Sequence, residues 1–338
     1  MARRRSGQPG IVTLQDVATA AGVSRSTASR AFSRPDLLLP ETVDRIHSIA
    51  HRMGYSLNHA ARALSTGRFG NLAVIVPDIG NPFFPPLVRK IEAGADTVDY
   101  AVFLGDSDES AVREATLVAR LSNQIDGLVL ASSRMTEDQI RAIAATKPVV
   151  LINRDLAGIA RVLVDVKGGV TEAVGHLKRL GHTDIAYVAG PRESWSEQQR
   201  RQSVVAAGTA AGLTVTVLEL GRPSHEAARD IVSALVDSGA TAVIAFDDVV
   251  AQGLLAGLDA RGIDVPREFS VVGCDDILAA TTQPPLTTIS GGSAAAGEAA
   301  VELLLRLIDG HPAAGDERVS IGTHLVVRAS VGRVNRRR

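Results

Sequence analysis

One cysteine, Cys274, three tyrosines and one tryptophan are spread over 338 residues, and aromatic residues make up only 3% of the chain. A lone thiol excludes an intramolecular disulfide and a thiolate metal cluster, and it fits a reducing compartment. Long apolar runs are also missing. The longest, such as residues 72–76 and 127–130, fall far short of the roughly 18 consecutive residues that a membrane span requires. Although Arg3, Arg4 and Arg5 stand near the N-terminus, residues 8–16 contain no apolar stretch or small-residue cleavage site, so no secretory signal is read and a cytoplasmic protein is expected. Enzyme signatures are absent as well. No phosphate loop ends in Gly-Lys-Ser/Thr, Arg229 stands where a zinc helix begun by His225-Glu226 needs its second His, and Gly291-Gly-Ser293 is not a nucleophile elbow. No catalytic residue, metal site or cofactor is read from the chain.

What is present is uneven. The formal net charge is −1, but residues 1–62 hold nine arginines against four acidic residues, whereas residues 63–332 hold 23 basic and 33 acidic ones. Four more arginines fall in the last six positions. A basic head on an acidic body is the arrangement expected of a polyanion-binding module, because neutralised phosphates supply most non-specific affinity for nucleic acid. With 45% hydrophobic residues, the length suits about two domains.

The head reads as short helices. Thr13-Leu-Gln-Asp16 is spaced as a capping box, and Leu14, Val17, Ala18 and Ala21 follow at helical intervals before Gly22 ends the segment. Ser24 then caps a second helix whose small residues Thr27, Ala28 and Ala31 turn inward and leave Arg25, Ser26, Ser29 and Arg30 outside. A third helix begins at Pro40 and stops at Gly54, with Val43, Ile46, Ile49, Ala50 and Met53 along one face. Two helices joined by a glycine turn, the second presenting Arg and Ser, form a helix-turn-helix over residues 13–32 that places its second helix in a major groove.

From residue 72 the pattern changes. Apolar and β-branched runs at 72–76, 101–104, 127–130, 149–153, 162–165, 185–189, 215–218, 242–246 and 270–272 alternate with amphipathic segments, which predicts an α/β body with parallel sheets.

The run Thr13-Leu-Gln-Asp-Val-Ala…Ala-Gly-Val-Ser…Thr27…Ser29-Arg30 resembles the lactose-repressor-like LacI/GalR family. The resemblance continues through Asp78-Ile-Gly-Asn-Pro-Phe-Phe84, His176-Leu177, Leu180-Gly-His182, Gly190-Pro191 and Pro285-Leu-Thr-Thr288, and so covers about 12–332. It implies an all-α helix-turn-helix head (1–57), a hinge helix (58–66) and a two-lobed, periplasmic-binding-protein-like α/β core with parallel sheets (67–338). The first lobe is expected over about 70–163 plus 291–320, and the second over about 164–290 plus 321–332. By the same resemblance Arg25, Ser26 and Arg30 read bases, Ser24, Thr27 and Ser29 touch phosphates, and Thr13 belongs to the DNA-binding surface. Asn58, Ala61 and Leu64 belong to the hinge helix, with Leu64 as the wedge between base pairs in the minor groove.

Effector contacts are implied at Asn81, Phe83, Phe84, Asn153, Arg154, Arg200, Asp247 and Asp275. A buried Arg among side-chain acceptors suits a hydroxyl-rich ligand, a sugar or polyol, because each hydroxyl both donates and accepts. Several positions depart from the family pattern. Leu39 replaces a Ser cap and Leu57 a Pro, Pro223 stands where an effector-stacking aromatic is common, Asp247 where Asn is common, and Cys274 where an aromatic precedes the Asp. Trp195, the only tryptophan, is the candidate to cover a sugar ring in place of the missing aromatic. The expected partners are an approximately palindromic double-stranded DNA operator, a carbohydrate or polyol effector and a second copy of the chain, with no membrane. No leucine heptads precede the C-terminus, which argues against a coiled-coil tetramer. An enzyme or a secreted sugar-binding protein on the same kind of core is the alternative.

Overall fold

The structure, a computed structural model, describes residues 12–33, 35–55, 68–311 and 316–334. Leu57, Asn58, Ala61, Leu64 and the arginines at 336–338 lie outside the described residues. The chain forms two compact units, Met1–Gly70 and Asn71–Arg338.

In the first unit, α1 (Leu14–Ala20), α2 (Arg25–Ser33) and α3 (Pro40–Met53) are joined by tight turns. The capping box forms as its spacing predicts: Asp16 N donates to Thr13 Oγ1 at 3.3 Å, and Thr13 N donates to Asp16 Oδ2 at 2.9 Å. Gly22 takes a φ of +66° and lets the chain reverse into α2, where Ser24 Oγ accepts from Thr27 N at 3.0 Å. Leu39 supplies no side-chain cap to α3. The fixed φ of Pro40 at the first helical position still suits the start of that helix. Val17, Ala21, Ala31, Ile46, Ile49 and Ala50 make a small core, closed by Phe32 stacked on His47 with ring centroids 4.8 Å apart.

The second unit is built on two six-stranded sheets. β1 (Asn71–Val76), β2 (Ala101–Asp106), β3 (Gly127–Ala131), β4 (Val149–Ile152), β5 (Ala160–Asp165) and β11 (Arg318–Gly322) form an all-parallel sheet in the order β11-β5-β4-β3-β1-β2. β6 (Asp184–Ala189), β7 (Thr214–Glu219), β8 (Ala242–Ala245), β9 (Ser270–Asp275), β10 (Thr287–Ser290) and β12 (Leu325–Val326) form the other, in the order β12-β10-β9-β8-β6-β7, with only the β10–β12 pair antiparallel. Helices connect the strands. They are α4 (Phe84–Asp96), α5 (Ala111–Leu121), α6 (Glu137–Ala144), α7 (Lys167–Arg179), α8 (Trp195–Ala211), α9 (His225–Asp230), α10 (Val232–Asp237), α11 (Asp248–Asp259) and α12 (Ser293–Ile308).

Every strand anticipated from the apolar runs is present. Most are buried along all but at most one terminal residue, which is why they read as continuous hydrophobic runs rather than alternations. Three others carry no such signal. β10 is Thr-Thr-Ile-Ser, β11 alternates exposed and half-buried residues at a sheet edge, and β12 has two residues. They matter for the architecture because the chain passes from the first sheet to the second after β5, returns after β10, and passes again between β11 and β12. In each sheet the strand order reverses, between β1 and β3 in one and β6 and β8 in the other. Such a reversal opens a crevice at the carboxyl ends of the strands.

Candidate functional site

The first candidate surface is the outer face of α2. Ala28 and Ala31 are buried, whereas Arg25, Ser26 and Arg30 are exposed. Ser24 Oγ lies 2.8 Å from both Ser26 Oγ and Thr27 Oγ1, so the start of α2 carries a linked set of hydroxyls. Thr13 is exposed at the start of α1, where its hydroxyl donates to Asp16 Oδ2 at 2.7 Å, and Ser29 is half-buried. Helix N-termini with free amides, hydroxyls and guanidinium groups bind phosphate well, and an exposed Arg on a groove-sized helix has the reach to read a base edge.

The second is a cleft at the carboxyl ends of the strands in the larger unit. From the first sheet it is lined by Asp78, Asn81, Phe83 and Phe84 after β1, Ser132 and Arg134 after β3, and Asn153 after β4. From the second come Ser194, Ser196 and Arg200 beside and on α8, Arg222 and Pro223 after β7, Phe246 and Asp247 after β8, and Asp275 at the end of β9. The enclosed volume is about 50 Å³. That is room for only about four waters, less than a sugar ring occupies.

Arg200 organises the floor. It is 6% exposed, its Nη2 donates to Asp275 Oδ1 at 2.7 Å, its Nη1 donates to the Phe246 carbonyl, and its guanidinium carbon lies 4.8 Å from the centroid of the Phe246 ring. Its Nε is buried with no hydrogen-bond partner among the described residues. A buried unpaired donor of that kind costs on the order of 1–3 kcal/mol, which an acceptor on a ligand would recover.

Asn81 reaches across the cleft, donating from Nδ2 to Asp247 Oδ2 at 3.1 Å, while its Oδ1 accepts from Phe83 N at 2.9 Å. The other Asp247 oxygen caps α11 by accepting from Val250 N at 2.8 Å. Burial, and then the neighbouring Asp275, push the Asp247 carboxyl up to about 6 against the opposing pull of the Val250 amide, Arg200 and Asn81. Asn153 takes a φ of +51°, and its Oδ1 accepts from Val164 N at 2.9 Å. That bond ties the end of β4 to β5.

Seven of the nine expected effector residues thus meet in one cavity: Asn81, Phe83, Phe84, Asn153, Arg200, Asp247 and Asp275. Arg154 and Trp195 are not among its lining residues. Trp195 is the first residue of α8 and is half-buried, between Ser194 and Ser196, which do line the cavity. Glu197 fixes this turn, accepting from the Tyr187 hydroxyl at 2.6 Å, Gly190 N at 2.8 Å and Arg201 Nε at 2.9 Å. The sequence reading missed Ser132, Arg134, Ser194, Ser196, Arg222 and Phe246. Ser132-Ser133-Arg134 follows a strand as Asn153 does, and the strand-end rule applied evenly would have found it. Among the described residues no cluster of His, Cys, Asp and Glu is placed to hold a metal, and no helix is long and apolar enough to cross a membrane.

Comparison with known proteins matches residues 13–58 to the model described as bacterial regulatory proteins, lacI family, and residues 174–331 to a periplasmic binding protein-like domain. The HTH-type transcriptional repressor CytR of Escherichia coli K12 is 32% identical over 332 residues, spanning 96% of this chain and 97% of that one. The crystal structure of the lac repressor dimer bound to operator and the anti-inducer ONPF superposes with a TM-score of 0.85 at 25% identity, covering 96% of this chain and all of that one. A LacI family regulator from Enterococcus faecium with bound ribose matches 78% of this chain and all of its own at a TM-score of 0.71 and 27% identity. A helix-turn-helix head with arginines outward, a two-lobed parallel α/β core and near full-length similarity to named regulators agree on one conclusion. The chain belongs to the lacI family of bacterial regulatory proteins, and it is a DNA-binding transcriptional repressor with a ligand-binding core rather than an enzyme.

Proposed function

We propose that this repressor binds an approximately palindromic operator as a homodimer in the cytoplasm, and that a neutral sugar or polyol in the cleft sets its affinity for DNA. The buried Arg200–Asp275 pair carries the effector reading. It offers an unused Nε–H beside carboxylate acceptors, with Asn81, Asn153 and Asp247 at neighbouring strand ends. A ring hydroxyl that accepts from one and donates to another satisfies both, whereas an apolar ligand leaves them unpaired. The ribose bound to the Enterococcus faecium regulator is in keeping with this chemistry. On the DNA side, Arg25, Ser26 and Arg30 would read the major groove, Thr13, Ser24, Thr27 and Ser29 would position the head on phosphates, and Asn58, Ala61 and Leu64 would act from a hinge helix in the minor groove. Linkage makes the two events reciprocal: an effector that weakens operator binding binds the operator complex correspondingly less tightly.

A gel-shift series with genomic fragments, with and without sugars, tests this. Arg30→Ala is expected to lower affinity about 5- to 150-fold per half-site, the equivalent of one bidentate guanine contact in each, and to relax base preference at that position. Arg200→Ala is expected to keep operator binding but lose the response to sugar. Absence of any salt-sensitive, sequence-dependent complex would refute the DNA assignment, and an unaltered sugar response in Arg200→Ala would refute the effector site.

A further inference from the structure

Two side-chain contacts span the cleft at different depths. Inside, Asn81 Nδ2 from the loop after β1 donates to Asp247 Oδ2 after β8 at 3.1 Å. At the mouth, Arg222 Nη2 from the loop after β7 donates to Asp108 Oδ1 from the loop after β2 at 2.6 Å. Strand order gives the outer contact its leverage. The chain crosses between the lobes after β5, after β10 and between β11 and β12, and these strands lie together at one edge of each sheet, β11-β5 in the first and β12-β10 in the second. β2 and β7 are the outermost strands at the opposite edges. The crossings thus form a spine, and Asp108–Arg222 is a clasp on the far side, where a small opening angle separates the two lobes most. Both halves of the clasp are held in place. Ser107 N donates to Val76 O at 3.0 Å, Glu109 N to Pro77 O at 2.7 Å and Asp108 N to Asp106 Oδ1 at 2.8 Å, which fixes Asp108 at a φ of +49°. Arg222 precedes Pro223, whose ring restricts the backbone before it. Glu109 is engaged by Arg134 Nε at 2.7 Å within the first lobe, which leaves Asp108 as the carboxylate that meets Arg222.

We infer that Asp108–Arg222, backed by Asn81–Asp247, is a latch that holds the lobes together before an effector binds and must break to admit one. This rests on the reading of the cleft as the effector site and adds the control of access to it. The enclosed volume of about 50 Å³ is less than a sugar ring occupies, and Asn81 and Asp247, two of the groups that would hold a ligand, are spent on each other across it. A ligand has to take their place. Its apparent affinity is then lowered by the fraction of time that the cleft stays shut, so the latch sets how much effector the repressor needs before it responds. Arg222 and Asp108 are 62% and 51% exposed, so the clasp is weak and screened by salt, as suits a contact that yields to a small ligand. Asp108 is not among the residues lining the cavity, so a change there acts on the latch and not on ligand contacts.

Hydrogen exchange on the full-length protein with no sugar added tests this, and its failure leaves the sugar reading standing. The signal is exchange at the cleft, at Phe83 N, which donates to Asn81 Oδ1, and Val250 N, which donates to Asp247 Oδ1, relative to amides within β3 and β9. Asp108→Asn removes the charge but keeps a side chain that tolerates the left-handed backbone. It is expected to speed cleft exchange about two- to fivefold and to leave the strands unchanged. Arg222→Glu sets a carboxylate against Asp108, Asp78 and Glu109 and is expected to speed it further. Sodium chloride at about 0.5 M is expected to speed cleft exchange in the native protein more than in Asp108→Asn. Arg192→Gln, which removes an exposed ion pair with Glu219 inside the second lobe, is the control and is expected to change nothing at the cleft. Unaltered cleft exchange in both Asp108→Asn and Arg222→Glu overturns the latch. So does an equal rise in Arg192→Gln, or a rise in Asp108→Asn that the strand amides share.

Discussion

Asp247 and Asp248 are adjacent, buried and differently employed. Asp247 faces Asn81 across the cleft, while Asp248 accepts from Thr288 Oγ1 at 2.7 Å and from Ile277 N at 3.0 Å, tying α11 to β10 and to the loop after β9. Burial first, then the charge of Asp275, push the Asp248 carboxyl up to about 7, against the pull of its two donors. Because its folded-state value lies above the ordinary carboxylate value near 3.8, the folded protein holds the proton more tightly than the unfolded chain. Stability from this group is therefore fully present at low pH and is lost as pH rises from about 4 through 7. Asp248→Asn removes the ionisation but keeps an acceptor for Ile277 N and a donor for Thr288 Oγ1. Its melting temperature relative to the native protein is expected to rise by about 3 °C between pH 5 and pH 8, the equivalent of about 2 kcal/mol. A constant difference across that range would show that Asp248 does not titrate there. Residues of this kind are only half legible in a sequence. Asp247 and Asp275 stand at the ends of apolar runs, where the strand-end rule finds them. Arg222 shows nothing locally, because its meaning comes from Asp108, 114 positions earlier and in the other lobe. Trp195 stands out in the sequence by its rarity alone, and it is not among the residues that line the cavity.

At the scale of elements, α4 and α12 lie unusually close. A Cβ added at Gly297 would overlap the backbone carbonyl of Leu87, and one at Gly94 would overlap the Val301 side chain. Glycine here is a requirement of packing rather than of backbone conformation. Gly175, in α7, is a contrasting case whose added Cβ would meet nothing nearer than Arg179 Nη1 at 3.5 Å. Gly297→Ala is therefore expected to destabilise the core by about 1–3 kcal/mol through overpacking, and Gly175→Ala to stabilise it by about 0.5–1 kcal/mol through helix propensity. Urea midpoints for the two variants should move in opposite directions, and a common sign would contradict the close α4–α12 contact. In both cases the substituted residue is glycine inside a helical pattern, so propensity alone assigns them the same effect. The same limit hid β10, β11 and β12. Thr287 and Thr288 are completely buried although polar, with the Thr288 hydroxyl spent on Asp248, and an edge strand or a two-residue strand is too short to establish a period. The nine strands that did show themselves are those whose two faces are covered or whose β-branched runs are long. The alternation of sheet and helix was therefore readable, while the chain's returns between lobes were not.

For the molecule as a whole, the first sheet ends in β2, whose far edge pairs with no strand among the described residues. Phe103 and Leu104 on that strand are 36% and 44% exposed, and Val98 and Val112 beside it in sequence are exposed too. An open edge carrying large apolar side chains invites pairing and is normally covered. The homodimer proposed above supplies an occupant for this edge, a second copy of the chain. Dimerisation also has a use here. A single head reads only a few base pairs, whereas two heads held together bind a palindrome with the second contact made intramolecular, which raises affinity by about 10²- to 10⁴-fold. The double variant Phe103→Asp, Leu104→Lys places charge on this edge without touching α2. It is expected to sediment as a monomer, to lose at least about 100-fold in affinity for a full palindromic operator, and to bind an isolated half-site about as well as the native protein does. Full-site affinity falling while half-site affinity holds would separate loss of the dimer from damage to the head. A variant that still sediments as a dimer would place the partner on another face of the core.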